Sequence, residues 1–167
     1  SGRIYESDII NKFEEVKELA GEKVVDISGT NGHYLAVLSN GKVFGRGYNW
    51  CCKIGLSPKI NLVSSFTEIE LLGKYKIVSA FAGTSHSIFK SSDGKMIVCG
   101  YNDDGQLFVT DKETVFPPVE VEFCQGFSFC AVSDASSVAF VGIDAPKNMP
   151  NKKIESFNIK KDTNKTK

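Results

Sequence analysis

The sequence predicts an all-β protein assembled from tandem copies of one antiparallel unit, and three observations carry that expectation. Shifting the chain against itself by 53 residues superposes 13–56 on 66–109 without a gap, with 12 identities in 44 positions. The identities include the turn glycine Gly41, His33 and the Gly47-Tyr48-Asn49 triplet, where backbone geometry restricts the choice of residue. Each copy also holds a strand-turn-strand pattern centred on Asn40-Gly41 or Asp93-Gly94, a strong short-range hairpin signal. Units repeated at such a spacing bury their apolar faces on one another.

The elements follow in order. Ser1–Tyr5 reads like Asn40–Phe44 and Asp93–Ile97, as though the chain opens inside the hairpin of an earlier unit. Ile9, Ile10, Phe13, Val16 and Leu19 have helical spacing, with Ser7 placed to cap a helix. Residues 13–19, however, map onto Phe66–Leu72, where Phe66-Thr67-Glu68-Ile69-Glu70 alternates; strand is therefore expected for 13–19, leaving a short helix at 7–12. In the first copy Tyr34–Leu38, Ser39–Lys42 and Val43–Gly47 read as strand, turn and strand. A weaker third copy sets Phe123-x-x-Gly126-x-x-Phe129 over Ala80-x-x-Gly83-x-x-His86, and Val138–Gly142 over Met96–Gly100. The resulting division is 1–12 as lead-in, 13–65 and 66–114 as full repeats, 115–146 as a degenerate one, and 147–167 as a basic tail or the start of a further strand.

The chain has 167 residues, 41% hydrophobic and 24% charged, with 20 basic and 20 acidic side chains. The zero sum hides an uneven spread: residues 1–22 carry −3, 23–146 carry −2 and 147–167 carry +5. A broad polyanion-binding surface, and with it nucleic acid, is not expected. No apolar run approaches the ~20 residues needed to span a bilayer, and nothing reads as a secretory signal. Five cysteines, Cys51, Cys52, Cys99, Cys124 and Cys130, include no Cys-x-x-Cys pair; this odd count fits a reducing compartment, so an intracellular protein, cytoplasmic or nuclear, is expected without metal or cofactor. The tail is either disordered or lies along an acidic partner. Asn164-Lys165-Thr166 matches a glycosylation sequon by chance.

The repeat resembles that of the regulator-of-chromosome-condensation family. The first copy supplies His33, Leu35–Leu38, Asn40–Phe44 and Gly47-Tyr48-Asn49. The second is the better match, with Gly83-x-x-His86-Ser87, Asp93-Gly94-Lys95 and Gly100-Tyr101-Asn102-x-x-Gly105-Gln106-Leu107. Cys52 and Lys53 replace the Gly-Gln pair in the first copy, and Phe108 replaces a closing glycine in the second. The resemblance covers about 13–142 and implies β-propeller blades, each a four-stranded antiparallel sheet. About three to four blades of a seven-bladed ring are implied, a partial assembly that needs a neighbour: further blades from the same parent or from a neighbouring chain.

Most distinctive residues read as structural. His33, Gly41, Gly47, Asn49, Gly83, His86, Gly94, Gly100, Asn102, Gly105 and Gly126 occupy repeat positions at turns. The two histidines are expected to point inward and bond neighbouring backbone, and the two asparagines to bond local backbone. Ser85-His86-Ser87 does not form a catalytic group, because adjacent strand residues face opposite ways. Gly45-Arg46-Gly47 lacks the context of a phosphate loop. Trp50, the only tryptophan, is either packed against a neighbouring blade or exposed as an interaction anchor; with Asp103 and Asp104, which read as a solvated loop, it marks a candidate partner-binding loop. The expected function is a non-enzymatic protein–protein interaction module acting as scaffold, adaptor or assembly subunit. The alternative implied by the resemblance is guanine-nucleotide exchange on a small GTPase.

Overall fold

A computed structural model describes residues 5–7, 13–30, 32–109, 112–122, 126–132 and 136–141. Twelve strands occur there: β1 (Tyr5–Ser7), β2 (Phe13–Glu15), β3 (Val24–Thr30), β4 (His33–Leu38), β5 (Val43–Tyr48), β6 (Leu62–Glu68), β7 (Ile77–Ala82), β8 (His86–Ser91), β9 (Met96–Tyr101), β10 (Thr114–Glu120), β11 (Phe127–Val132) and β12 (Ser137–Val141). Strands β3–β6 form one four-stranded antiparallel sheet in sequence order, and β7–β10 form a second. The pairs β1–β2 and β11–β12 flank them in the sequence. Within the described residues, the full four-stranded sheets are therefore two, with a two-stranded pair on either side in sequence.

The register repeats with the sequence. Tyr5 pairs with Glu15, Phe44 with Glu68, and Ile97 with Glu120. Thus β1–β2 corresponds to the third and fourth strands of a sheet, as the likeness of Ser1–Tyr5 to later hairpins implies. The expected strand over 13–19 is shortened. It stops at Glu15, and Lys17–Leu19 is a 3-10 turn, as Glu70–Leu72 is after β6. The reason is burial: the turns seat Leu19 and Leu72 in apolar clusters, which continued alternation would not do. Ser7 lies in β1; the rest of the helix expected at 7–12, Cys124, and the tail with its sequon lie outside the described residues.

Both sheets are apolar on two faces. His33, Leu35 and Val37 of β4 point one way, toward the second sheet, where Leu35 and Val37 meet Ala80, Phe89, Ile97 and Cys99 in one buried cluster with Ile54, Ile69 and Leu72. Ala36 and Leu38 point the other way and pack on Val16, Leu19 and Phe66. Behind the second sheet Ile88, Met96, Val98, Leu107 and Val115 form a third cluster, against which Val132 packs. A fully buried side chain such as Leu35 or Phe89 contributes about 1.5–3 kcal/mol. Pro117 and Pro118 are tolerated because β10 is the last strand of its sheet and its register shifts between Val115 and Val119.

The repeated glycines are backbone requirements. Gly41 (φ 92°) closes the β4–β5 turn, where its N–H donates to Leu38 O at 2.9 Å; Gly94 (φ 81°) does the same for Ser91 O at 3.1 Å. Gly47 (φ 110°) and Gly100 (φ 111°) lie opposite the histidines. A Cβ on Gly47 would collide with Gly32 O, and one on Gly100 would sit 2.6 Å from Ser85 O. Gly47→Ala and Gly100→Ala are each expected to cost roughly 2–4 kcal/mol in urea unfolding, from strain plus a backbone clash. Gly21→Ala, at φ 83° with nothing within 4 Å, is expected to cost only about 1 kcal/mol.

Candidate functional site

The junction between the two sheets is built from polar side chains that the repeat comparison passes over. On β3, Asp26, Ser28 and Thr30 alternate with exposed Val25, Ile27 and Gly29, so all three face the second sheet. They close the free edge of β7. Ala80 N–H donates to Asp26 Oδ2 at 2.9 Å, Ala82 N–H donates to Ser28 Oγ at 3.0 Å, and Thr30 Oγ1 donates to Gly83 O at 2.9 Å. Side chains rather than a pairing strand satisfy this edge. The second copy carries Ser79, Phe81 and Gly83 at those positions, and Phe81 packs into the apolar cluster behind its own sheet instead. The sequence signal was present in Asp26-x-Ser28-x-Thr30, an alternation of polar residues in a strand beside a buried one.

The histidines bridge to the next unit through serine hydroxyls, not to backbone as expected. His33 Nε2 lies 3.0 Å from Ser87 Oγ, and His86 Nε2 lies 2.8 Å from Ser137 Oγ. Ser87 donates its proton to Lys53 O at 2.5 Å, so its oxygen accepts from His33 and the proton of His33 sits on Nε2. Lys53 crosses the same junction, its Nζ donating to Thr84 O at 2.9 Å. Burial, the Lys53 charge and His86 hold the His33 pKa down at about 3, and burial holds that of His86 at about 4. A serine and a histidine thus meet, but both are fully buried and the serine proton is committed to a carbonyl, so the pair is no nucleophile. Gly83 lies against the His86 ring, where a Cβ would collide with Cε1; this is the physical content of Gly-x-x-His.

The asparagines organise the loops that follow. Asn49 Nδ2 donates to Leu56 O, Ser57 O and Ile60 O at 2.9–3.2 Å, while Oδ1 accepts from Ile54 N–H at 3.1 Å. Asn102 donates to Val109 O and Lys112 O and accepts from Leu107 N–H. Where the copies differ, non-glycine residues take the left-handed conformation: Cys52 (φ 58°) stands at the Gly105 position (φ 74°), and Phe108 (φ 59°) stands where the first copy has Gly55 (φ 90°). Gly126 (φ 79°) lies beside Gly94, as the start of β7 lies beside Gly41.

Trp50 does not pack inward. It is 62% exposed and stacks on Tyr48, with ring centroids 5.0 Å apart. Tyr34, Tyr48 and Leu62 are also exposed; Tyr48 pairs with Leu62 across β5–β6. Asp103 and Asp104 are exposed in the second loop, where Asp103 accepts from Tyr101 Oη at 3.2 Å. Among the described residues no group of three or more His, Cys, Asp or Glu is placed to hold a metal ion. Cys51, Cys52 and Cys99 are free thiols, and burial pushes Cys52 and Cys99 up, away from the thiolate. A cleft of about 460 Å³ is lined by Lys74, Tyr75, Lys76, Asp93, Lys95 and Glu120, and Lys95 is paired with Glu120 at 3.2 Å.

The lowered histidine pKa values fix a pH dependence. Below pH 6.5 the unfolded chain binds protons that the folded histidines refuse, so their contribution is complete above about 6.5 and is lost as pH falls toward 4 and 3. Each histidine contributes up to about 1.4 kcal/mol per pH unit in that window. Urea unfolding at pH 7.5 and 5.5 is expected to show a loss of roughly 1–3 kcal/mol, reduced in the His33→Gln/His86→Gln variant. Equal stability of the unmodified chain at both pH values would contradict the buried neutral histidines.

Known proteins share this geometry. A family profile described as the Regulator of chromosome condensation (RCC1) repeat matches residues 77–106, the span from β7 to the Asn102 loop. The mitochondrial RCC1 domain-containing protein RUG3 of Arabidopsis thaliana is 32% identical over 131 residues, which cover 74% of this chain and 29% of RUG3. The guanine nucleotide exchange factor SRM1 of Saccharomyces cerevisiae is 29% identical over 91 residues, 52% of this chain and 19% of SRM1. The crystal structure of Prp20p from Saccharomyces cerevisiae, a protein that binds Gsp1p and histones, superposes with a TM-score of 0.68 at 15% identity, covering 77% of this chain and 33% of Prp20p. The chain spans less than a third of the length of the curated relatives it matches. No helix among the described residues is long and apolar enough to cross a membrane. A repeat profile, a register that recurs with the sequence and superposition on part of a propeller together show that the chain belongs to the RCC1 repeat family, with β3–β6 and β7–β10 as two of its β-propeller blades.

Proposed function

We propose that this chain is a non-enzymatic protein–protein interaction module, serving as scaffold, adaptor or assembly subunit of an intracellular propeller. The carrying observation is the exposed Tyr48–Trp50 pair, flanked by Tyr34 and Leu62. Tryptophan and tyrosine are enriched at binding hot spots, because a large rigid ring loses little conformational freedom when a partner covers it. Trp50 buries little of itself in the fold, so its removal leaves the blade intact. Supporting this reading, buried His33 and Lys53 are engaged in holding the two blades together. Prp20p, whose fold is related, has protein partners in Gsp1p and histones.

Guanine-nucleotide exchange is the second reading, supported by the similarity to SRM1. The two are separated by a nucleotide-release assay with the full-length parent and a panel of small GTPases, in which accelerated release would displace the first reading. For the interaction reading, Trp50→Ala is expected to leave Tm within about 2 °C while abolishing recovery of the bound protein from cell extract. A large drop in Tm, or unchanged recovery, would contradict it.

A further inference from the structure

The cleft beside Lys74 and Lys76 lies at the hairpin-turn end of the second blade, opposite the end where the loops after β5 and β9 emerge. The equivalent place in the first blade shows what is particular to it. Both blades share one frame. Ser39 N–H donates to Lys23 O and Ser92 N–H to Lys76 O, each at 2.8 Å, and the Lys42–Glu68 ion pair (2.8 Å) recurs as Lys95–Glu120 (3.2 Å). Within that frame Lys74-Tyr75 stands where the first copy has Gly21-Glu22. In the first blade Glu22 and Glu68 balance Lys23 and Lys42; in the second, Lys74, Lys76 and Lys95 outnumber Asp93 and Glu120. The two acids are also already engaged. Glu120 Oε2 accepts from Lys95 Nζ at 3.2 Å and from Tyr75 Oη at 3.5 Å, and Asp93 accepts from Ser91 Oγ. Among the described residues neither Lys74 nor Lys76 has a carboxylate partner.

We propose that this cleft binds a phosphate monoester, its dianion held by the Lys74 and Lys76 ammonium groups with the Ser92 hydroxyl as a further donor. Tyr75 fixes the arrangement. It packs half-buried on the core between the blades, with Lys74 Nζ 4.9 Å and Lys95 Nζ 5.9 Å from its ring centroid. The positive charge is therefore gathered around a held ring. The cleft contains lysine but no arginine. Ammonium point charges suit a tetrahedral oxyanion approached from several directions, and they offer no planar fork for a carboxylate. The volume of about 460 Å³ exceeds that of a bare phosphate and leaves room for the esterified group, within the range of small-ligand sites. A phosphorylated side chain of a partner protein and a small-molecule monoester share this chemistry. The site goes beyond the interaction reading and uses none of its residues.

The test follows the backbone amide NMR shifts of Lys74, Lys76 and Ser92 in the full chain, at constant ionic strength. The probes are phenyl phosphate, the peptide Ala-phosphoserine-Ala and its counterpart Ala-Glu-Ala. At least one phosphorylated probe is expected to give saturating shifts below about 5 mM, and the glutamate peptide to bind at least about tenfold more weakly than that probe. Preference for the phosphopeptide assigns the site to a phosphorylated partner, and preference for phenyl phosphate assigns it to a small-molecule ester. Lys74 and Lys76 are exposed, so the Lys74→Gln/Lys76→Gln variant keeps its fold; it is expected to bind roughly tenfold or more weakly. Lys23→Gln, at the equivalent place in the first blade, leaves binding unchanged. Failure of both phosphorylated probes to saturate, glutamate-peptide binding within about tenfold of the tighter phosphorylated probe, or undiminished binding by the double-lysine variant would overturn the proposal.

Discussion

The amides of Ala80 and Ala82 point out of their sheet toward β3, and leaving them unbonded at a closed junction would cost about 1–3 kcal/mol each. Asp26 and Ser28 remove that cost while Thr30 donates the complementary bond to Gly83 O. Much of the architecture follows from this arrangement. A blade has two apolar faces and an inner edge, and all three require a neighbour. Because side chains do the capping, successive inner strands need not lie in one sheet, and each blade can twist away from the last.

A second line of bonds runs deeper in the same junction. His33, Ser87, Lys53 and Thr84 tie the second strand and the β5–β6 loop of one blade to the first turn and second strand of the next. These groups are desolvated, so each contributes through having its partner and would cost more without it. Apolar packing by Leu35, Val37, Phe89 and Ile97 supplies the bulk attraction, and the polar bonds set the register in which the faces meet. The rings of Tyr48 and Trp50 are exposed and lie against one another, whereas the groups that bond the blades together are buried or half-buried.

The repeat was legible because several of its identical residues have no substitutes. Gly47 and Gly100 sit against backbone of the preceding strand, and Asn49 and Asn102 each donate and accept at once inside a loop. The hairpin turns were legible for the same reason. The capping ladder was not, because Asp26, Ser28 and Thr30 differ from Ser79, Phe81 and Gly83, and identity across repeats is blind to positions where the copies differ. Trp50 was undecided, since an aromatic residue in a loop suits either a packed or an exposed site. The turn at Lys17–Leu19 was missed because the alternation of its equivalent, Phe66–Glu70, runs on into the turn and does not show where the strand ends.

The central claim is that the two blades open as one unit because each completes the other. Native-state amide exchange at Leu35 and Val37 in the first blade and at Ile88 and Val98 in the second tests it directly. The account predicts opening free energies within about 0.5 kcal/mol of one another, and an equal fall in both blades in the Asp26→Ala variant. A second blade that loses protection while the first keeps it would contradict the account.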